Sequence, residues 1–401
     1  MTSSEKFDLI TKNLEEVLTP EELRALIESN TPLKHYIGLE ISGKIHIGTG
    51  FAVLLKIKDL QEAGVQTTIL LADWHTWLNK KLDGTLETAS KMAREYFEEG
   101  MKAAAICVGA DPDKIEFVLG SELYEKLGQN YWADVIKVSK ATTLARIIRS
   151  TTIMGRKESE ISDAAMLIYP AMQSADIFAL GVNIAHAGTD QRNVHVVARE
   201  AAKDLGKTKP VAIHHHLLQR LLKPEGVYSD EEIKVAQTLA NISPYAEETA
   251  KELLKSAGIN KKDNSFSKEE IKLALKMSKS KPDSAVFIHD EPEEIKRKVN
   301  NAYAPEGIIE FNPILDWVKH LIFYDQNTSL TVKRDSKFGG DITYNSYEDL
   351  EKDYAEKKLH PMDLKTAVTE WLIQKLEPAR KYFEDPKRKA ALEEIERLTV
   401  K

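Results

Sequence analysis

A chain of 401 residues, 42% hydrophobic and 30% charged, can bury a sizeable core and is long enough for about two or three domains. It has no stretch near the roughly 20 apolar residues of a membrane span, and its polar, acidic start lacks the basic and apolar runs of an export signal. A cytoplasmic protein with no membrane partner is therefore expected. The formal net charge of -7 argues against indiscriminate polyanion binding, and a single cysteine, Cys107, excludes a disulfide or a cysteine-based metal site within one chain.

The first element begins at Thr19-Pro20-Glu21-Glu22, a capping box with proline at the first helical position, followed by Leu23, Leu26 and Ile27 at helical spacing. The start of the chain reads as helices. A strand then leads from Tyr36 into the glycine-rich turn Gly38-Leu39-Glu40-Ile41-Ser42-Gly43-Lys44-Ile45-His46-Ile47-Gly48-Thr49-Gly50, which reopens as a helix from Phe51 to Ala63. Such a junction presents backbone N–H groups and the positive end of a helix dipole, which suit phosphate. An apolar strand follows at Val65 to Ala72, then a helix from Leu86 to Gly100 and beyond, then a strand at Ile115 to Leu119. This alternation predicts an α/β fold with a Rossmann-like, doubly wound parallel sheet.

Residues from Ser121 to Met166 read as mostly helical, Ile168-Tyr169-Pro170 opens a mixed segment ending at Gly188, and Val211-Ala212-Ile213 reads as a short strand. The run His214-His215-His216 does not read as a metal site, because successive strand side chains point to opposite faces. A charged, helical insertion is expected over about 223–272. Next comes Lys276-Met277-Ser278-Lys279-Ser280, whose two lysines and two hydroxyls suit a mobile clamp on a polyphosphate. Past Glu291 the pattern is helical, interrupted by the turn Phe338-Gly339-Gly340-Asp341, and Leu364 to Phe383 forms one long amphipathic helix or a helix pair. A separate α-helical domain is expected from near Phe311.

The glycine turn and the lysine clamp, in this order and more than 200 residues apart, resemble the HIGH and KMSKS signatures of the class I aminoacyl-tRNA synthetases. Five further phrases resemble the tyrosyl branch of archaeal and eukaryotic cytosolic type. They are Leu70-Leu71-Ala72-Asp73-Trp74-His75, Tyr169-Pro170-Ala171-Met172-Gln173-Ser174-Ala175-Asp176, Gly188-Thr189-Asp190-Gln191-Arg192, Lys337-Phe338-Gly339-Gly340-Asp341 and His360-Pro361-Met362-Asp363-Leu364-Lys365. The resemblance runs from about residue 30 to residue 385. It implies a catalytic domain over 1–222 with a helical connective insertion at about 95–165, the insertion at 223–272, a clamp and linker at 273–310, and an anticodon-binding domain at 311–401.

By that resemblance Tyr36 and Asp176 hold the phenolic hydroxyl of L-tyrosine, Tyr169, Gln173 and Gln191 surround its ammonium group, and Gly38, Ala72 and His75 line the pocket. ATP, with Mg²⁺, falls to Glu40, Gly43, His46, Gly48, Thr49, Lys276, Met277, Ser278, Lys279 and Ser280. His46, Gly48, Lys276 and Lys279 carry the catalytic work on the phosphates. A transfer RNA for tyrosine is the implied partner, met by Arg149 and Arg192 at its acceptor end and by Phe338, His360 and Asp363 at its anticodon. Asp363 also reads as an N-cap for a helix beginning at Leu364. The resemblance implies a homodimer, joined through roughly residues 95–165.

Four departures from the family pattern stand out. Thr49 takes the place of the second histidine of HIGH, Ile41 that of a common proline, and Asn193 that of a lysine, and the insertion precedes Lys276. The rival readings are a tryptophanyl-type synthetase, whose indole offers Tyr36 and Asp176 no matching hydroxyl, a non-catalytic tRNA-binding paralogue, which Thr49 keeps alive, and a nucleotidyltransferase acting without tRNA, which should lack the Phe338 and Asp363 motifs.

Overall fold

A computed structural model describes residues 1–154, 163–222, 282–325 and 327–399. The expected insertion at 223–272 and the lysine clamp at 276–280 lie outside the described residues. The chain divides into two compact units. The first comprises Met1–Ile45, Thr49–His216 and Lys381–Lys401, and the second His46–Gly48 and Leu217–Arg380. Among the described residues no helix is long and apolar enough to cross a membrane.

The first unit is built on six strands: β1 (Leu14–Leu18), β2 (Lys34–Leu39), β3 (Gln66–Leu71), β4 (Ile115–Leu119), β5 (Ile184–Gly188) and β6 (Val211–His215). Their spatial order is β1-β6-β5-β2-β3-β4, parallel throughout except for β1, which runs antiparallel to β6. This is the doubly wound sheet expected from the alternation. β1 departs from the helical reading of the first residues. Leu14, Val17 and Leu18 satisfy the helical spacing i, i+3, i+4, but pairing with β6 wins, and the same pairing extends β6 from Ile213 to His215.

Helix α1 (Ser3–Thr11) precedes β1, and the others run between strands: α2 (Pro20–Glu28), α3 (Ile47–Glu62), α4 (Asp73–Leu78), α5 (Leu86–Met92), α6 (Glu99–Val108), α7 (Gly120–Leu127), α8 (Gln129–Ala141), α9 (Leu144–Ser150), α10 (Tyr169–Ala179) and α11 (Arg192–Ala201). The Thr19 hydroxyl accepts from Glu22 N–H, the predicted cap of α2. One core joins Phe7, Ile10, Leu23, Ile27 and Leu60 to Ile184, Val211 and Ile213, and another joins Tyr36 and Leu70 to Tyr131, Val135, Met172 and Val197. Lys56, buried in the first, donates to the carbonyls of Leu9, Ile10 and Lys12 and to Asp59, so it satisfies acceptors that the end of α1 leaves open.

The three consecutive histidines diverge. His215 bonds His186 of β5 at 2.8 Å, and His186 in turn bonds His35 of β2 at 3.0 Å. His214 bonds His195 of α11 at 3.0 Å, with its other nitrogen 3.0 Å from Glu16 though poorly aligned for a hydrogen bond, and His216 bonds Glu15. His35 Nδ1 and His195 Nε2 have no partner. A lone pair is cheaper to bury unpaired than an N–H. These atoms are therefore assigned as acceptors, and His35 Nε2 and His195 Nδ1 as the donors.

The second unit contains α12 (Pro292–Asn300), α13 (Pro313–His320), the hairpin β7 (Leu330–Val332) and β8 (Ile342–Tyr344), α14 (Tyr347–Ala355) and most of α15 (Pro361–Tyr382). The Leu364–Phe383 segment is thus one helix, starting three residues earlier than expected. The last helix, α16 (Pro386–Thr399), belongs to the first unit. There Arg388 and Tyr382 both donate to Glu99 at the start of α6, and Lys44 of the glycine turn pairs with Glu396 at 2.7 Å.

Burial holds His35 and His195 down to about 3 and pulls His186 and His214 below the usual value. An unfolded histidine titrates near 6.5, so below that pH the unfolded chain takes up protons the folded one refuses. The stabilisation is complete above 6.5 and drains away as pH falls towards 3. Urea unfolding at pH 7, 6 and 5 should show stability falling with pH, by on the order of 1.4 kcal/mol per unit for each such histidine. A flat profile would overturn the neutral assignment.

Candidate active site

The strand order reverses between β2 and β5, where Tyr36 pairs with Ala185. Ligands of open α/β sheets bind beyond the carboxyl ends of strands at such a switch point. The two strands deliver Tyr36 and Gly38 on one side and Thr189 to Gln191 on the other. Gly38 is needed for close approach, since a Cβ there would lie 2.9 Å from the hydroxyl of Tyr36, whose ring lies across it.

Asp176, on α10, is fully buried. Its Oδ1 accepts from the Tyr131 hydroxyl at 2.8 Å, whereas Oδ2 has no hydrogen-bond partner and lies 3.6 Å from His75 Nε2. Burial raises Asp176 to about 7 against the neighbouring hydroxyls of Tyr131 and Tyr124, with Asp73 adding a smaller push upward. His75, from α4, is held down to about 3 by burial and is neutral, and neither of its ring nitrogens has a partner. Its ring meets Tyr169 edge-on at 4.5 Å. Burial and the nearby Asp176 push the Tyr36 phenol well above its ordinary range. Gln173 donates to Gln191 at 3.1 Å, and Gln191 donates to Asp190 and to the Ile153 carbonyl. Tyr36, His75, Tyr169, Gln173, Asp176 and Gln191 are thus brought together, with Ala72 at the start of α4, where its N–H reaches the Leu39 carbonyl.

The glycine turn is held from several sides. Glu40 accepts from Asn79 at 2.7 Å, Ile45 N–H donates to the Tyr96 hydroxyl, and Gly43 has the left-handed φ of 137° that favours glycine. Ile41 N–H donates to Thr76 Oγ1 at 2.9 Å, a bond that the family's common proline could not make. In the second unit, His46 bridges to Phe287, and Ile47 N–H donates to the Val286 carbonyl. Gly48 and Thr49 follow in the first turn of α3.

The sequence profile of the tRNA synthetases class I (W and Y) matches residues 28–226 and 271–377. A tyrosine–tRNA ligase of Thermococcus sibiricus is 49% identical over 396 residues, and one of Thermococcus kodakarensis 50%, each alignment covering 96% of both chains. This chain belongs to the class I tyrosine–tRNA ligases. The crystal structure of a tyrosyl-tRNA synthetase from Pyrococcus horikoshii complexed with L-tyrosine is 47% identical, with a TM-score of 0.85, covering 99% of this chain and 100% of that one. The enzyme from Aeropyrum pernix is 36% identical, with a TM-score of 0.76 and coverage of 98% and 99%. A tryptophanyl-tRNA synthetase from Aeropyrum pernix K1, at 17% identity, TM-score 0.62 and coverage of 95% and 85%, shares the fold.

The residues expected to meet tRNA are spread over the ligase. Arg149 is exposed at the end of α9, and Arg192 is engaged with both oxygens of Glu16. Phe338 is 63% exposed on the turn between β7 and β8, beneath the Lys337 ammonium. Arg334 donates to the carbonyls of Gly340 and Lys358, which ties this turn to the approach to α15. His360, rather than Asp363, caps α15: its ring accepts from Met362 N–H, and Asp363 lies within the first turn. Arg334 was not legible as a tie, nor was Tyr131 as the partner of Asp176. Asp73 carried a faint signal as an acid opening a helix, and it accepts from Trp74 N–H, Ser121 N–H and Ser90.

Because its folded pKa is raised, Asp176 opposes stability above pH 7, and the penalty vanishes below its unfolded value of about 3.9. Asp176→Asn should stabilise the protein at pH 8 by up to about 4 kcal/mol and by little at pH 4, read by urea unfolding at both. Equal effects at the two pH values would refute the assignment.

Proposed function

We propose that this tyrosine–tRNA ligase selects its amino acid through Asp176 and Tyr36, and the observation that carries the reading is the buried Asp176 carboxylate with one unpartnered oxygen. A phenolic hydroxyl donates to that oxygen, while phenylalanine leaves it desolvated and unmet. A site built to bond a hydroxyl rejects the analogue lacking it far better than size alone permits, a rule for which a tyrosyl-tRNA synthetase is itself the standard example. Tyr169, Gln173 and Gln191 surround the ammonium group and leave the carboxylate free to react. ATP enters as its Mg²⁺ complex, so the metal is part of the substrate.

The tyrosine carboxylate attacks the α-phosphorus, the bond to pyrophosphate breaks, and tyrosyl-adenylate forms. The terminal ribose hydroxyl of the tRNA then attacks the carbonyl and AMP leaves. Neither step needs a protein nucleophile, so the chain's task is positioning and charge stabilisation. His46 and the backbone at Gly48 serve the phosphates, with Thr49 offering a hydroxyl in place of the second imidazole. Lys276 and Lys279 close on the leaving pyrophosphate. Phe338 stacks on an anticodon base, and Asp363 accepts from a guanine edge. The enzyme acts in the cytoplasm as a homodimer, a state supported by Ile136 and Leu144, apolar and 60% and 66% exposed on α8 and α9.

Amino-acid-dependent ATP–pyrophosphate exchange tests the pocket. Exchange with tyrosine and none with tryptophan or phenylalanine is expected, and no exchange with any of them would favour the binding paralogue. Gly38→Ala should raise the tyrosine KM by roughly 10-fold, because the new methyl displaces Tyr36. Asp363→Ala should weaken aminoacylation while leaving exchange intact, and an equal loss in both assays would refute its anticodon role.

A further inference from the structure

Tyr131 stands at the start of α8, 45 residues before Asp176 in the chain, and is almost wholly buried. Its ring stacks on Tyr124 with centroids 4.1 Å apart and an interplanar angle of 18°, and meets Trp132 edge-on at 5.3 Å. These contacts seat the ring, and its hydroxyl donates to Asp176 Oδ1, 2.8 Å away. The opposite oxygen, Oδ2, has no hydrogen-bond partner and lies 3.6 Å from His75 Nε2.

We propose that Tyr131 is a positioning residue for substrate selection: by occupying Oδ1 of Asp176 it fixes the carboxylate plane and leaves Oδ2 as the atom that accepts the substrate's phenolic hydroxyl. The inference rests on the tyrosine pocket proposed above. It has a consequence for charge. Burial favours the protonated acid, and the Tyr131 hydrogen bond, with a smaller effect of the Tyr124 hydroxyl, opposes it. Since Oδ1 already accepts a hydrogen bond, any proton Asp176 takes up goes to Oδ2, where it blocks acceptance from the substrate. The titratable groups facing Asp176 are Tyr36 on β2, Asp73 and His75 on α4, Tyr124 on α7, Tyr131 on α8 and Tyr169 on α10. The phenols are all pushed up and His75 is neutral down to about 3, so they hold their charge states while Asp176 titrates.

The test is Tyr131→Phe in the full chain, which removes one oxygen and keeps the ring stack. Exchange is followed with tyrosine and with phenylalanine from pH 5.5 to 8.5, alongside thermal unfolding. At pH 7 the tyrosine KM should rise roughly 10-fold with kcat little changed, and the preference for tyrosine over phenylalanine should fall by a similar factor. The acid limb of kcat/KM should move up by about one pH unit. An unmoved acid limb, with a lower unfolding temperature and an equal loss for both amino acids, would make Tyr131 a packing residue and overturn the proposal. Wild-type protein inert towards tyrosine would instead overturn the pocket reading itself.

Discussion

The arrangement of the first unit turns on one constraint: Asp176 is a carboxylate with no access to water. A charge in that position is eased where the surrounding elements donate to it or stay neutral, and Asp73 is the exception that adds to its cost. α8 donates through Tyr131, α4 supplies a histidine that burial keeps uncharged, and β2 supplies a phenol that does not ionise in the working range. One oxygen remains unmet, and the protein carries that cost in stability. A site that is costly when empty discriminates when filled, because only a ligand with the right donor relieves it.

The sheet beneath the site follows a related logic with the opposite sign. Five histidines, His35, His186, His195, His214 and His215, bond to one another on two sides of the parallel strands, and burial favours the neutral form of His35, His186, His195 and His214. A neutral imidazole has one donor and one acceptor, so a row of them satisfies itself without introducing charge. Acid breaks this arrangement, since those four rings would have to take up protons where burial opposes the charge. Asp176 and the histidines therefore bias stability in opposite directions between pH 4 and 7.

The glycine turn shows how local departures from a family pattern are absorbed. Ile41 in place of proline gains a donor that Thr76 accepts, and Tyr96, within a π-helical turn at Ala93–Glu98, accepts from Ile45. Segments of that kind are frequent at functional sites, where an extra residue in the turn re-aims a side chain. The chain's last helix reinforces the same face. Glu99 receives Arg388 and Tyr382, and Glu396 reaches Lys44, so residues 381–401 are bonded into the first unit.

The sequence by itself determined the parallel sheet, the strand–turn–helix with its glycines, and most of the residues that gather around Asp176. These are set by hydrophobic period, by turn chemistry and by short motifs whose members are neighbours along the chain. It misjudged Leu14 to Leu18, where the apolar spacing suits helix and strand alike, because pairing with β6 is a long-range energy that no local window contains. It read Asp363 as the helix cap because a carboxylate is a common cap, whereas the backbone starts the helix at Pro361 and leaves the cap to His360. Only the tertiary structure decided that Tyr131 serves Asp176, that three consecutive histidines face three different partners, and that Arg334 joins two turns. Each of those depends on which helix lies against which strand, and so on side chains that are distant in sequence and meet only when the core closes.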